Sequence, residues 1–205
     1  MINRTDFMVP KTIRFAYRMT HIANIPNILR VGIVHSSSQS ADPSYVPIGD
    51  VTAIRTRMTK HLSNGSCLGD FIPFYLGPRT PMLYVIQNGF LGVPKQSPAD
   101  IVYCVISIDD IIRDNIDCVF TDGHALNHLT KVYQNFDLVN LNDYVKSEDV
   151  YLEYWDADSD SKRKKEAELL LKNDLPASYI RFFLVYCEEA KQSLIEMGIE
   201  AAKIR

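Results

Sequence analysis

Two histidines four residues apart, His124 and His128, form the first pair whose spacing suits a reaction. On a helix they would turn two imidazoles towards one metal ion, with Cys118 and Asp122 close by in the chain. No HExxH pattern or second ligand cluster accompanies them, so the pair reads as helix surface or polar core and no metal is expected. Other chemistry-bearing residues are scattered. Thr20-His21 falls where an alternating stretch gives way to a helical one, a place where side chains often meet ligands. Arg55 and Arg57 share a short basic segment. Arg79 stands between Pro78 and Pro81 in GDFIPFYLGPRTPMLY, among Phe71, Phe74, Tyr75 and Tyr84. Alternation puts Glu166 and Glu168 on one strand face. Each residue taken alone reads as structural, and no GxSxG elbow, P-loop or GxGxxG turn is present.

The elements that must position these residues are short. Phe15, Tyr17 and Met19 alternate with Arg14, Ala16 and Arg18, which predicts a strand. Ile25, Ile28 and Leu29 then fall at helical spacing, with Gly32 as the stop. Residues 35–52 are polar and rich in turn formers and read as a loop. The basic segment 53–65 ends in the turn signal Asn64-Gly65. MLYVIQNG reads as a buried strand and IVYCVISI as another, followed by a short helix IDDIIRDN capped by Ser107. CVFTDGHALNHLTKVYQNF predicts a strand, a turn at Asp122-Gly123 and a helix carrying Leu126, Leu129 and Tyr133. The acidic stretch 142–160 reads as an exposed irregular insertion. KEAELLL and IRFFLVY close the set of strands, and EEAKQSLIEMG makes a C-terminal helix.

Composition bounds the answer. The 205 residues, 46% of them hydrophobic, suffice for one mixed α/β domain spanning 1–205 with a real core. No apolar run approaches the roughly 20 residues that cross a bilayer, and MINRTDFMVPKTIRF lacks a secretory h-region. Four dispersed cysteines read as reduced thiols in a cytoplasmic protein. The net charge of −3 argues against a general nucleic-acid binder, but the charge is uneven. Residues 1–100 hold 10 Lys+Arg against 5 Asp+Glu, whereas residues 101–205 hold 12 against 20. The first half can therefore offer a basic face to an anionic partner.

Taken together and in order, YRMTHIANIPNILRVGI, IRTRM, GDFIPFYLGPRTPMLY, FTDGHA and KEAELLL resemble the DarT family of DNA ADP-ribosyltransferase toxins. The likeness runs from about residue 15 to about 185, and the aromatic–proline block is its most specific part. The basic element departs from the family pattern, with Ile54-Arg55-Thr56-Arg57-Met58 carrying one arginine and a shifted partner. Leu76 replaces an aromatic, Thr80 replaces serine, and residues 35–52 align poorly, which makes that loop the expected place for target choice.

The resemblance implies an α+β ADP-ribosyltransferase fold, a split, mainly antiparallel sheet with peripheral helices. It implies NAD+ as co-substrate and single-stranded DNA as acceptor, with the modified base (thymine or guanine) left open. Thr20 and His21 match the element that meets the nicotinamide and its ribose, and Asn24 a position lining the same pocket. Glu168 matches the catalytic glutamate. Arg57 matches a catalytic arginine that also meets NAD+, with Arg55 as the fallback at the DNA. Tyr75 and Arg79 match positions at the NAD+ and DNA cleft, and His124 the histidine of the TDGHA turn on the DNA side. A macrodomain antitoxin is the implied partner. The readings that compete are an ADP-ribosyltransferase acting on RNA or protein, and a non-enzymatic module that binds NAD+ or nucleic acid.

Overall fold

The computed structural model describes residues 10–62, 64–155 and 160–205. Seven strands form one sheet in the order β5-β4-β6-β2-β1-β3-β7, every neighbouring pair antiparallel. In chain order they are β1 (Phe15–His21), β2 (Ile72–Tyr75), β3 (Ile101–Ser107), β4 (Cys118–Thr121), β5 (Val132–Gln134), β6 (Glu168–Leu171) and β7 (Ile180–Leu184). β1 and β3 are zipped over seven residue pairs, from Phe15↔Ser107 to His21↔Ile101. β1 meets β2 at one pair only, Tyr17↔Tyr75. The sheet is thus split into a three-stranded and a four-stranded half that splay apart beyond that pair. Arg18 Nη1 reaches across the gap to donate to the Pro73 carbonyl at 3.0 Å.

β3, β4 and β6 are buried along their whole length, which explains their continuous apolar runs. The main core joins Ala16, Phe74, Cys104, Ile106, Phe120 and Leu169 to α1 (Ile25–Val31), α4 (Ile108–Arg113) and α8 (Glu188–Glu196). Gly32 ends α1 with φ 89°, and a Cβ there would lie 2.2 Å from the Leu175 carbonyl oxygen, so only glycine fits. All four cysteines are free thiols. Among the described residues no helix is long and apolar enough to cross a membrane.

Three expectations are corrected. MLYVIQNG is not a strand but lies in α3 (Pro81–Asn88), which follows α2 (Val51–Arg57) in the chain. Thr80 is its N-cap, Pro81 occupies the first turn and Gly89 ends it in the left-handed region. A short apolar run does not separate helix from strand by itself, and these end signals decide it. The helix expected after Asp122-Gly123 is a looped segment leading into β5. There Asp122 Oδ1 accepts from Lys131 N, Asn127 Oδ1 from Leu129 N, and Thr130 Oγ1 donates to His124 O. Such local side-chain bonds compete with a helix. The acidic stretch is not wholly irregular or exposed. It holds α5 (Leu141–Tyr144) and α6 (Ser147–Val150) and leads into α7 (Asp160–Lys165), with Val145 and Val150 buried. Its residues 156–159 lie outside the described residues.

Candidate active site

Where the two half-sheets splay, a cavity of about 390 Å³ opens, within the range typical of small-molecule sites. Arg18 and Met19 of β1 and Ile72–Tyr75 of β2 form two of its walls. Met82 and Ile86 of α3, with Ala53, Ile54 and Arg57 of α2, form others. Glu168 and His124 lie among its lining residues.

Glu168 opens β6 opposite Tyr75 and is 1% exposed. A buried carboxylate must be paired and hydrogen-bonded to stay charged, and three donors meet this one. Arg57 Nη2 donates to Oε2 at 2.7 Å, Arg57 Nη1 to Oε1 at 3.3 Å, and the Ala125 N–H to Oε1 at 2.8 Å. Burial pushes the carboxyl up, but Arg57, His124 and these bonds outweigh it and hold it below the ordinary carboxylate value. Burial likewise pushes the Arg57 guanidinium down, and Glu168 holds it above its ordinary value. Both partners are therefore ionised. A carboxylate offers about four lone-pair sites. Among the described residues three donors meet this one, two on Oε1 and one on Oε2, so one Oε2 lone pair has no donor there.

The TDGHA turn is built around this glutamate. Thr121 Oγ1 donates to Gly123 O at 2.7 Å and accepts the Glu168 N–H at 3.1 Å. A Cβ on Gly123 would fall 2.5 Å from Arg163 Nη1, the guanidinium nitrogen that pairs with Asp122 at 2.9 Å. The turn so held aims the Ala125 N–H at Glu168. Burial, only partly offset by Glu168, keeps the His124 imidazole below its ordinary value and so neutral near pH 7. Lys60 donates to Leu126 O at 2.8 Å and ties the same turn to the end of α2. Gly69 lets that end pack closely, since a Cβ there would lie 2.7 Å from Met58 Cα.

Four of the residues singled out in the sequence thus meet at the cavity: Arg57, Tyr75, His124 and Glu168. Arg55, two positions from Arg57 and so on the other side of α2, is exposed. Thr20, His21 and Asn24 are not among the residues that line the cavity. The His21 Nδ1 accepts from Ala23 N and caps the turn that follows β1. Asn24, 2% exposed, bonds Thr20 Oγ1 at 2.9 Å and grips Val46 twice, Nδ2 to Val46 O at 2.9 Å and Val46 N to Oδ1 at 2.8 Å. That grip carries the loop whose Tyr45, Pro47, Ile48 and Asp50 line the cavity. Arg79 is exposed outside the cavity, with a positive φ of 54°. Sequence reasoning passed over His35 and Asp174. Asp174 accepts from His35 N at 2.7 Å and Ser38 Oγ at 2.5 Å, and His35 Nε2 bonds the Gly69 carbonyl. These contacts span as many as 139 positions of chain, and no local pattern marks them.

A sheet split over a buried, arginine-paired glutamate, with a cavity of small-molecule size at the split, sets a carboxylate against whatever substrate the cavity takes. The family model described as "ssDNA thymidine ADP-ribosyltransferase, DarT" matches residues 17–204, and the chain belongs to that family. A solved structure titled Thermus sp. 2.9 DarT in complex with ADP-ribosylated ssDNA is similar, with TM-score 0.76, 26% identity, and coverage of 96% of this chain and 92% of that one. The same Thermus protein in complex with NAD+ is similar at TM-score 0.73, 26% identity, and 96% and 93% coverage. A DNA ADP-ribosyl transferase-DNA ADP-ribosyl glycohydrolase fusion protein of Thermosipho africanus (strain H17ap60334) is 29% identical over 182 residues. That match covers 88% of this chain but 45% of the fusion, so the chain spans less than half of that relative.

Proposed function

We propose that this chain moves ADP-ribose from NAD+ onto the base of a thymidine in single-stranded DNA and releases nicotinamide. The observation that carries the reading is the ionised Arg57–Glu168 pair at the cavity, with one Oε2 lone pair of Glu168 lacking a donor among the described residues. Breaking the bond between the ribose C1′ and nicotinamide sends the electron pair out with nicotinamide and builds positive charge on the ribose. A carboxylate that accepts a ribose hydroxyl at that lone pair holds the ribose in place and stabilises the charge. Desolvation strengthens the effect, and Glu168 is almost fully buried. The new bond forms between C1′ and the imide nitrogen of thymine, whose proton leaves.

Arg57, kept cationic by Glu168, is no free base; it orients the thymine and stabilises the anion left as the proton departs. Neutral His124 stands beside it as the group able to take that proton. Tyr75 packs at the cavity wall, where its ring can meet nicotinamide or the incoming base. Asn24, braced by Thr20, serves NAD+ through the loop it holds at Val46, and His21 caps the turn that carries Asn24. Arg79, and Arg55 on the outer face of α2, meet phosphates. An imide nitrogen is engaged in a duplex, so the acceptor is unpaired DNA. The reaction as drawn requires no metal ion.

NAD+ and single-stranded DNA occur together in the cytoplasm, where four free thiols also persist. A mark on DNA harms the cell that makes it, so the reading includes a macrodomain antitoxin that removes the mark. Labelled NAD+ offered with DNA, RNA and protein pools tests the reading. Label should enter single-stranded DNA, and mass spectrometry of its nucleosides should find the adduct on thymidine. Label confined to RNA or protein overturns the acceptor. NAD+ bound but left intact in every pool overturns the enzyme.

A further inference from the structure

α3 has two faces. Met82 and Ile86 line the cavity, while Tyr84 points away from them and is 51% exposed. Around Tyr84 two more rings gather. The Phe90 ring lies 5.6 Å away at an angle of 50°, and the Trp155 ring 6.1 Å away, edge-on at 78°. Phe90 is 47% exposed and Leu91, at the rim, 79%. Tyr84 and Phe90 forgo part of the burial that aromatic rings ordinarily gain, and Phe90 is held out on a stiff backbone. Gly89, Leu91 and Gly92 all take positive φ, 71°, 57° and 75°, which for leucine is a strained backbone. The turn is bonded throughout: Gly89 N and Phe90 N donate to Val85 O, Val93 N to Phe90 O, and Gln96 N to Ile86 O at 3.0 Å. The backbone is bent, then pinned, to keep Phe90 beside Tyr84.

The charge around the rings is one-sided on the α3 side. From Phe71 to Ala99 the chain carries Arg79 and Lys95 and no acid, and both cations are exposed. The segment that delivers Trp155 does carry acid, with Glu153 two positions before it. Aromatic faces bordered by cations match bases bordered by phosphates. α3 is eight residues long, about 12 Å, so the rings lie within roughly three stacked nucleotides of Arg79 at its start.

We propose that Tyr84, Phe90 and Trp155 form a stacking platform for the nucleotides that flank the modified thymidine. The proposal rests on the transfer reading above and adds to it a second contact with the DNA, outside the cavity and on the opposite face of α3. The platform grips any base, because every base has a face to stack, and it therefore contributes affinity for strand length more than sequence choice.

Trp155 is the one tryptophan of the chain, so its fluorescence reports the platform directly. Without NAD+, a thymidine-containing dodecanucleotide should quench it at concentrations where a trinucleotide, which offers fewer bases to stack, quenches it little. In transfer assays the wild type should prefer the dodecanucleotide by about 10-fold or more in kcat/KM. The double variant Tyr84→Ala/Phe90→Ala and the single variant Trp155→Ala should each lose most of that preference, with NAD+ affinity unchanged. An unquenched Trp155 at saturating dodecanucleotide overturns the platform, as does a wild type indifferent to length or variants that keep the preference. Loss of NAD+ affinity in the variants makes the rings structural and overturns it too. If the wild type labels no DNA, the transfer reading falls and the platform with it; if DNA is labelled but length dependence stays intact, the platform alone falls.

Discussion

Replacing Glu168 by glutamine keeps the shape of the side chain and removes its charge. Three donors converge on that carboxylate, two from Arg57 and one from Ala125. An amide offers one acceptor oxygen, so at least one donor loses its partner, and the Arg57 side chain, 14% exposed, keeps a charge with no anion. Breaking a buried ion pair in this way costs about 3–5 kcal/mol. For a chain of this size each kcal/mol moves the melting temperature by about 2–4 °C, so Glu168→Gln should melt on the order of 10 °C lower. Transfer in a single turnover should fall by about 10²–10³-fold or more. Adding Arg57→Met removes the stranded cation, and the double variant should recover several degrees while remaining inactive. Circular-dichroism melts of the wild type, both single variants and the double variant close the cycle. A Glu168→Gln melt within 2 °C of wild type (roughly 1 kcal/mol or less), or a double variant less stable than both singles, would refute the picture of a desolvated, mutually dependent pair.

Three further perturbations probe the frame. Asn24→Ala frees Val46 and should raise the KM for NAD+ about 10-fold, with kcat changed far less, in steady-state assays; a fall in kcat at constant KM would mean Asn24 meets the reacting atoms itself. Gly123→Ala drives a Cβ into Arg163 and should lower stability by about 1–3 kcal/mol in urea melts, with activity lost as the Ala125 N–H moves off Glu168. Stability should also depend on pH through Glu166, which burial holds at about 7 against an ordinary 4.5. Between those values the native state keeps a proton that the unfolded chain has lost, so stability falls as pH rises through that window, by on the order of 3 kcal/mol. Glu166→Gln should flatten melts taken from pH 4.5 to 7; an unchanged slope would show that another group carries it.

The parts of the fold legible in the sequence are those governed by local pattern. The alternation from Phe15 to Met19, the stop at Gly32 and the apolar runs of β3 and β6 are each dictated within a few residues. After Arg79, Met82-Leu83-Tyr84-Val85-Ile86 suits a strand as well as a helix, and Thr80, Pro81 and Gly89 decide for the helix. His124 and His128 carried a helical spacing, yet the side chains of Asp122, Asn127 and Thr130 bind the backbone first. At the site, a family pattern points to Glu168 and Arg57, and nothing local separates Arg57 from Arg55; in the fold only Arg57 of the two pairs with Glu168 among the described residues. Asn24 illustrates the limit best. Its position in the motif suggested a pocket wall, and its bonds reach a loop 22 residues on. A sequence pattern records that a residue is required without recording whether it touches the ligand or holds what does.

The lone residue pair between β1 and β2 has a mechanical meaning. Backbone amides in a sheet are protected from exchange by the cost of separating their strands, and sub-global opening follows the boundary with the fewest bonds. Here that boundary is Tyr17↔Tyr75 with the Arg18–Pro73 strap beside it. Amides of β1 facing β3 should exchange slowly, and those facing β2 early. The chain therefore has a weakly bonded seam between two well-zipped plates, and under the proposed reading the seam is where strain from an entering substrate would be taken up, while each plate keeps its order.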